Sequence, residues 1–123
     1  MTKFLLTFFL VLFFALPLFA QSVDTAWVRR YNGPVDSEDW AYAIVLDGSD
    51  NVYVTGMSSG GGTCYDYATI KYYPDGDTAW VRRYNGQLSE NDYGSAIGVD
   101  GSGNVYVTGY SAGRGTASDY ATI

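Results

Sequence analysis

The amino-acid sequence predicts an all-β protein made of short antiparallel strands, and three observations support this prediction. Hydrophobic residues make up 47% of the 123 residues and charged residues 16%, which is the composition of a packed globular protein rather than a disordered chain. The 15 glycines and 12 tyrosines suit tight turns and strands. After residue 20, short apolar or alternating runs are separated by Gly, Pro, Asn and Asp, without a helical period.

An internal repeat with a period of 53 residues organises the chain. The nonapeptide at residues 25–33 recurs letter for letter at residues 78–86, and residues 24–70 match residues 77–123 without gaps at 31 of 47 positions. A fixed period without insertions indicates one supersecondary unit copied in tandem. The resulting division is a leader at residues 1–20 and a repeat segment at 21–123, with repeat 1 at 24–76 and a truncated repeat 2 at 77–123.

Each period has the pattern of four short strands joined by turns. The predicted strands of the first complete set are residues 42–47, 52–55, 67–73 and 78–84. Several of these strands are apolar on both faces, which suits a sheet with neighbours stacked on both sides. Four-stranded antiparallel sheets, one per period and stacked face to face around an axis, form a β-propeller. The sequence therefore predicts β-propeller-type blades.

About two blades are present, so the predicted propeller is incomplete. Residues 24–33 are predicted to be a last strand, residues 42–86 a full blade, and residues 95–123 the first three strands of another. A closed ring takes about 4–8 blades. Two interpretations stay open: the chain is a fragment of a larger protein, or several two-blade chains exchange strands and close one ring together.

Three segments resemble the bacterial SBBP-type β-propeller repeat: residues 66–76, 80–84 and 100–111. The resemblance extends over essentially the whole of residues 21–123 and is specific in several separate places. It implies a propeller blade in an exported bacterial protein, often one at the cell surface or in the envelope. It implies no catalytic activity, because this repeat family is defined by its blade and carries no shared catalytic residues.

The first 20 residues have the layout of a secretory signal peptide. Lys3 gives a positive start, an apolar run extends to Leu16, Pro17 interrupts it, and cleavage is expected after Ala20. The alternative is a retained membrane anchor, although a spanning helix needs about 20 apolar residues and this run is shorter. We therefore expect an extracytoplasmic protein, secreted or at the cell surface or envelope, without membrane insertion after cleavage.

Charge and residue usage exclude several classes of function. The net charge is −6, which disfavours binding to nucleic acid, and the chain contains no His and a single cysteine. Imidazole catalysis, His-ligated metals, paired-Cys zinc sites and a disulfide within the chain are therefore not expected. The sequence predicts no catalytic residues, no cofactor and no metal. Expected partners are an unknown protein or glycan, further copies of the chain, or additional blades.

Two equivalent loops carry oxygen donors at alternate positions, at residues 47–51 and 100–104. This pattern is similar to the opening of a calcium loop, but the remaining ligands are missing, notably a glutamate at the twelfth position. Asp, Ser and Asn also close hairpin turns by bonding nearby backbone N–H groups. We therefore interpret both loops as turns.

Four carboxylates form two repeat-related pairs, Asp39 with Asp92 and Asp66 with Asp119. Paired carboxylates can perform acid–base or glycosidase chemistry when they are held close together. Each of these residues, however, recurs once per blade, whereas an active site is normally unique. We expect them to fix loops or to bind backbone amides.

The arginine pairs at residues 29–30 and 82–83 each follow a tryptophan, Trp27 or Trp80. In a strand, the first arginine shares a face with the tryptophan and the second points to the other face. We expect the guanidinium groups to stack on indole rings or to pair with acids of the repeat. An anion-binding surface is disfavoured by the net charge.

A unique function would lie where the two copies differ. The positions singled out on this ground are Trp40, Asp36, Glu38, Tyr110 and Arg114. Cys64, which is Ala117 in the second copy, either links to another chain or is simply tolerated. The predicted function is an exported, non-enzymatic structural or interaction module, and the alternative is a carbohydrate-binding lectin formed by several two-blade chains, with aromatic rings as sugar platforms.

Overall fold

In the computed structural model, the described residues are 24–62, 64–88, 90–115 and 117–123, and they form two antiparallel β-sheets. Sheet A has the strand order β1 (Asp39–Leu46), β2 (Val52–Ser59), β3 (Tyr65–Tyr72) and β4 (Thr78–Tyr84). Sheet B has the order β5 (Tyr93–Val99), β6 (Val105–Ser111) and β7 (Asp119–Thr122). The predicted all-β meander is confirmed. The predicted signal peptide lies outside the described residues.

Across these ranges, the chain has no helix with the length and apolar character needed to span a membrane.

Strand β2 is longer than predicted. The strand was predicted to end at Thr55, before the glycine-rich stretch at residues 58–62, but it runs to Ser59. Gly56 pairs with Ala41 of β1 on one side and with Ala68 of β3 on the other, so the ladder continues through the glycine. The limits predicted for β4, residues 78–84, are confirmed.

Residues 24–33, which include the first nonapeptide, were predicted to be a last strand, and this prediction is wrong for the structure of a single chain. No strand is assigned anywhere from residue 24 to residue 38. A strand needs a neighbour to share its backbone hydrogen bonds. The identical residues 78–86 have one, because β4 pairs with β3, with Tyr67 opposite Tyr84 and Ile70 opposite Val81.

Both faces of sheet A are covered at strand β3. Residues 24–31 lie against the face that carries Ala68, Ile70 and Tyr72, and the ring of Trp27 contacts Tyr72 at 5.7 Å. Sheet B lies against the opposite face, where β5 contacts β1, β2 and β3. Strand β3 is therefore buried on both sides, with Tyr67 0% and Ile70 5% exposed. This confirms the prediction that strands apolar on both faces belong to stacked sheets.

Candidate functional site: the junctions between sheets

Asp39 and Asp92 each bind a backbone amide where the chain enters the first strand of a sheet, β1 or β5. Asp39 Oδ2 accepts the N–H of Gly33 at 2.8 Å, and Asp92 Oδ2 accepts the N–H of Gly86 at 2.6 Å. The other oxygen, Oδ1, is buried in both residues and has no hydrogen-bond partner among the described residues. We call these two contacts the junction bonds. The expectation that these carboxylates bind backbone amides is confirmed.

The junction bonds explain why glycine occupies positions 33 and 86. A Cβ at either glycine would lie 2.7 Å from the Oδ1 atom of the aspartate that binds its N–H, Asp39 or Asp92. It would also lie within 2.6 Å of the hydroxyl oxygen of Ser58 or Ser111, respectively. Any side chain would therefore push the carboxylate away from the amide that it binds.

The guanidinium of Arg83 links the ends of strands β2 and β3 to β4. It pairs with the Asp66 carboxylate at 2.9 Å and donates to the carbonyl oxygens of Ser58 at 2.9 Å and Ser59 at 3.0 Å. It also donates to the Tyr31 hydroxyl at 3.2 Å, across the first junction. Asp66 is 7% exposed, so its negative charge is balanced almost entirely by this arginine. Asp66 thus fixes a loop end, as expected from its recurrence.

The other arginines show both uses that the sequence predicted. The guanidinium carbon of Arg82 lies 5.7 Å from the centre of the Trp80 ring. Arg29 pairs with Asp77 at 3.1 Å, so residues 24–31 are linked electrostatically to the turn before β4. Because neighbouring residues of a strand point to opposite faces, Arg82 and Arg83 serve different sides of sheet A.

The two oxygen-rich loops are turns, as interpreted from the sequence. Asp47 Oδ1 accepts the backbone N–H groups of Ser49 and Asn51, and its Oδ2 accepts the Asn51 side-chain amide and the Tyr53 hydroxyl. Asp100 has the equivalent bonds in the second repeat. These donors, the asparagine side chain first, hold the pKa of both carboxyls below the usual value. The described ranges contain no group of three or more Cys, Asp or Glu side chains able to hold a metal ion.

Each junction also encloses a cavity. The first, of about 250 Å³, lies between residues 24–31 and sheet A, and the second, of about 170 Å³, lies between sheet A and sheet B. Five residues that line the first have repeat-related residues lining the second. These pairs are Trp27 and Trp80, Arg29 and Arg82, Val52 and Val105, Val54 and Val107, and Ile70 and Ile123. The two cavities are therefore copies of one junction.

A family model described as a beta-propeller repeat, SBBP, matches residues 26–62 and 79–115. The two matches begin 53 residues apart, at the period of the internal repeat, and together cover more than half of the chain. The chain belongs to the SBBP beta-propeller repeat family. No curated protein matches it.

The residues that form the junction bonds are identical in the two SBBP repeats, so the sequence differences lie at other positions. Of the five variable positions, Trp40 lines the first cavity and is 54% exposed. Asp36 accepts from the Asn32 amide at 2.8 Å, and Glu38 accepts from the Tyr65 hydroxyl at 3.0 Å.

The two remaining variable positions belong to the second repeat. Tyr110 packs against Tyr93 with ring centres 5.4 Å apart, and Arg114 is exposed in the loop after β6. Neither of them lines the first cavity with Trp40. The structure therefore does not unite the five variable positions around one cavity.

Cys64 is half-buried just before β3, and it forms no disulfide in the described part of the chain. Its carbonyl oxygen accepts the backbone N–H of Gly60 at 3.0 Å, which closes the glycine-rich hairpin between β2 and β3. The two alternatives for this cysteine, a link to another chain or simple tolerance, both stay predictions.

Tyr67 connects the two sheets of the SBBP chain, a role that the sequence analysis missed. Its side chain is fully buried, and its hydroxyl donates to the Ala121 carbonyl of β7 at 3.2 Å. Its ring packs edge to face against Tyr84 at 5.3 Å. Burial, followed by the nearby Asp92 charge, raises the pKa of Tyr67 to about 12. The only signal in the sequence was that Tyr67 recurs as Tyr120.

Replacing Tyr67 with phenylalanine should lower the free energy of unfolding by about 1 kcal/mol at pH 7, through the lost hydrogen bond. The folded-state pKa of about 12 lies above the usual value of 10.0. The contribution of Tyr67 to the free energy of unfolding is therefore fully present below pH 10 and falls as the pH rises toward 12. That alkaline loss, up to about 3 kcal/mol, is absent in Tyr67→Phe. Urea denaturation from pH 7 to 11.5 should therefore show that the stability difference between wild type and Tyr67→Phe closes and then reverses its sign.

The control for this prediction is Tyr73→Phe, since Tyr73 is 49% exposed. It should follow the wild type at every pH. Parallel stability profiles for wild type and Tyr67→Phe would contradict the assigned burial of the hydroxyl.

Proposed function

We propose that this chain is a non-catalytic structural and interaction module that acts outside the cytoplasm as part of a larger secreted or cell-surface assembly. The observation that carries the proposal is a set of exposed apolar side chains on one strand. β1 displays four of them, Trp40 at 54%, Tyr42 at 47%, Ile44 at 65% and Leu46 at 56% exposure. We call these four residues the β1 stripe.

The second repeat supports the idea that the β1 stripe is a docking surface. The repeat-related residues of β5 are Tyr93, Ser95, Ile97 and Val99. Three of these, Tyr93, Ile97 and Val99, are half-buried, and β5 contacts the face of sheet A. A large apolar patch without such cover is typical of a binding surface.

The assignment as a non-catalytic module is supported by what the candidate carboxylates do. Asp39 and Asp92 bind backbone amides, Asp66 balances Arg83, and Asp47 closes a turn. All of these contacts serve the architecture of the repeat. Location outside the cytoplasm is proposed from the signal-peptide pattern of residues 1–20.

A carbohydrate-binding function is the second candidate, and Trp40 favours it. Its exposed indole lies beside a cavity of about 250 Å³ that Trp27 and Arg29 also line. Such a ring could stack on the apolar face of a sugar. A glycan array separates the candidates. The lectin function requires binding that is lost in Trp40→Ala and kept in Trp40→Tyr, and the module function requires a blank array.

A photo-cross-linking experiment tests the module function in the producing cell. A photoreactive amino acid at Tyr42, in the β1 stripe, should capture a protein partner, whereas the same group at the exposed Tyr73 should not. The protein should be recovered outside the cytoplasm with Gln21 as its first residue. Recovery of the intact chain in the cytoplasm, or equal cross-linking from both positions, would overturn the proposal.

A further inference from the structure

The positions at which the two repeats differ are concentrated at one end of the sheets. Sixteen of the 47 aligned positions differ, and 13 of them lie at residues 34–42 and 57–65 of the first repeat. These two segments meet, because β1 begins where β2 ends, with Asp39 opposite Ser58. We call the described residues of these segments, and of 87–95 and 110–118 in the second repeat, the variable end.

The architecture of the repeat makes no common demand on positions that differ between its copies. At the opposite end of the sheets, by contrast, the turns at Asp47 and Asp100 form the same bonds. A specific function on a repeated scaffold therefore has to use the positions that are free to differ. Simple loss of constraint would leave unrelated side chains there, whereas several side chains of the variable end contact one another.

Four tyrosines of the variable end form a cluster across the junction between sheets A and B. The ring centre of Tyr65 in β3 lies 6.1 Å from that of Tyr93 in β5, which lies 5.4 Å from that of Tyr110 in β6. The pKa of Tyr65 is raised first by its hydrogen bond to Glu38 and that of Tyr93 first by burial, and the charge of nearby Tyr42 adds to both. We call these four tyrosines the tyrosine cluster. In the other repeat the four positions hold different residues: Ser95, Ser118, Trp40 and Met57.

A carboxylate is held beside the tyrosine cluster. Glu38 Oε2 accepts the Tyr65 hydroxyl at 3.0 Å. Asn91, the repeat-related residue of Glu38, accepts the Tyr65 backbone N–H at 3.0 Å. Glu38 is exposed, and it takes part in neither of the two ion pairs found among the described residues. The carboxylate is therefore oriented by the protein and accessible to a ligand.

Rings and carboxylate together favour a cation as the ligand. The face of a phenol ring attracts ammonium and guanidinium groups, and Glu38 adds a full negative charge. The loops of the variable end carry the exposed acids Asp36, Glu38 and Glu90 and the exposed base Arg114, and the net charge of the chain is −6. An anionic ligand would be repelled. A guanidinium is the best match, because it is planar, stacks on aromatic faces and pairs with a carboxylate through two N–H groups.

We propose that the tyrosine cluster and Glu38 bind an arginine side chain of a partner protein. This inference rests on the module function proposed above and names the chemistry of the partner. Tyr42 belongs both to the tyrosine cluster and to the β1 stripe, so the two surfaces are continuous. An apolar residue next to the arginine then contacts the β1 stripe at Trp40 or Ile44, while the arginine pairs with Glu38.

An NMR titration of the ¹⁵N-labelled protein tests the proposal with two peptides. One is acetyl-Leu-Arg-Leu-amide, and the other has citrulline, a neutral group of the same shape, in place of the arginine. The arginine peptide should shift the backbone amide signals of Tyr42, Tyr65 and Tyr93. It should bind at least about 5-fold more tightly than the citrulline peptide, because only the guanidinium forms charge-assisted bonds.

Three variants identify the groups that bind the arginine. Glu38→Gln should abolish the preference for arginine over citrulline, since it removes the charge. Asp36→Asn is the matched control, because it removes the same charge from an exposed residue that bonds to Asn32, and it should keep the preference. Tyr42→Leu, which keeps an apolar side chain but removes the ring, should weaken binding of the arginine peptide about 2- to 5-fold.

Three results would overturn the proposal: equal affinity for the two peptides, a preference that survives Glu38→Gln, or signal shifts confined to the opposite end around Asp47. Near-UV circular dichroism checks that each variant keeps its tertiary packing. If arginine is not preferred while the Tyr42 probe still captures a protein, the module function stands and only the chemistry assigned to its partner is wrong.

Discussion

Replacing Gly56 with alanine should destabilise the protein by more than about 3 kcal/mol. A Cβ at this position would lie 1.8 Å from the carbonyl oxygen of Trp40 and 2.8 Å from its carbonyl carbon. Both atoms belong to the backbone of β1, so no side-chain rotation relieves the overlap, and β1 and β2 have to separate. Gly109, at the same position of the second repeat, meets the Tyr93 carbonyl oxygen at 1.9 Å. Urea denaturation of the purified variant measures the loss.

Gly98→Ala is the matched control for this prediction. Gly98 also lies within a strand, β5, but a Cβ there would meet nothing within 4 Å. Its replacement should change the free energy of unfolding by no more than about 1 kcal/mol, because only backbone entropy and strand propensity are affected. Equal losses in the two variants would contradict the close approach of β1 and β2 at Gly56.

Replacing Arg83 with alanine should cost about 3 kcal/mol or more. The substitution removes the ion pair with Asp66 and the donors to the carbonyl oxygens of Ser58 and Ser59. It leaves a carboxylate in a residue that is only 7% exposed, and an uncompensated buried charge is the larger part of the cost. Thermal and urea denaturation at pH 7 should both show the loss.

Two further variants test this explanation. Arg82→Ala, at an exposed residue of the same strand, should cost no more than about 1 kcal/mol, since it removes a cation–π contact with Trp80 and an exposed hydrogen bond to the Val81 carbonyl oxygen. Adding Asp66→Ala to Arg83→Ala should recover part of the loss, because it removes the unpaired charge. If the double variant is no more stable than Arg83→Ala, the charge of Asp66 is not the source of the instability.

Features set by local chemistry were predictable from the sequence. The turn around Asp47 depends on an aspartate, a serine and an asparagine within five residues, and both copies form the same bonds. The sequence predicted that Asp39 binds a backbone amide or fixes a loop and that Arg83 pairs with an acid or stacks on a ring. These are structural roles, which are expected of residues that recur in every repeat. The 53-residue period was sufficient to predict stacked sheets.

Features that depend on non-local pairing were not predictable. Residues 25–33 and 78–86 are identical, so no local rule can assign a strand to one and not to the other. The difference comes only from the presence of β3 beside β4. Likewise, the predicted strand stopped at Thr55, and the need for glycine at position 56 becomes visible only when the Trp40 carbonyl is placed against it. The bond from Tyr67 to Ala121 spans 54 residues and depends on how the sheets stack.

Amide hydrogen exchange on the two identical nonapeptides tests the account most directly, at a concentration where the chain is monomeric. The backbone amides of residues 78–86 that pair with β3 should be strongly protected. Those of residues 25–33 should exchange rapidly, apart from Gly33, whose N–H is held by Asp39. If the two segments exchange at the same rates, the neighbouring strand does not decide their structure and the account is wrong.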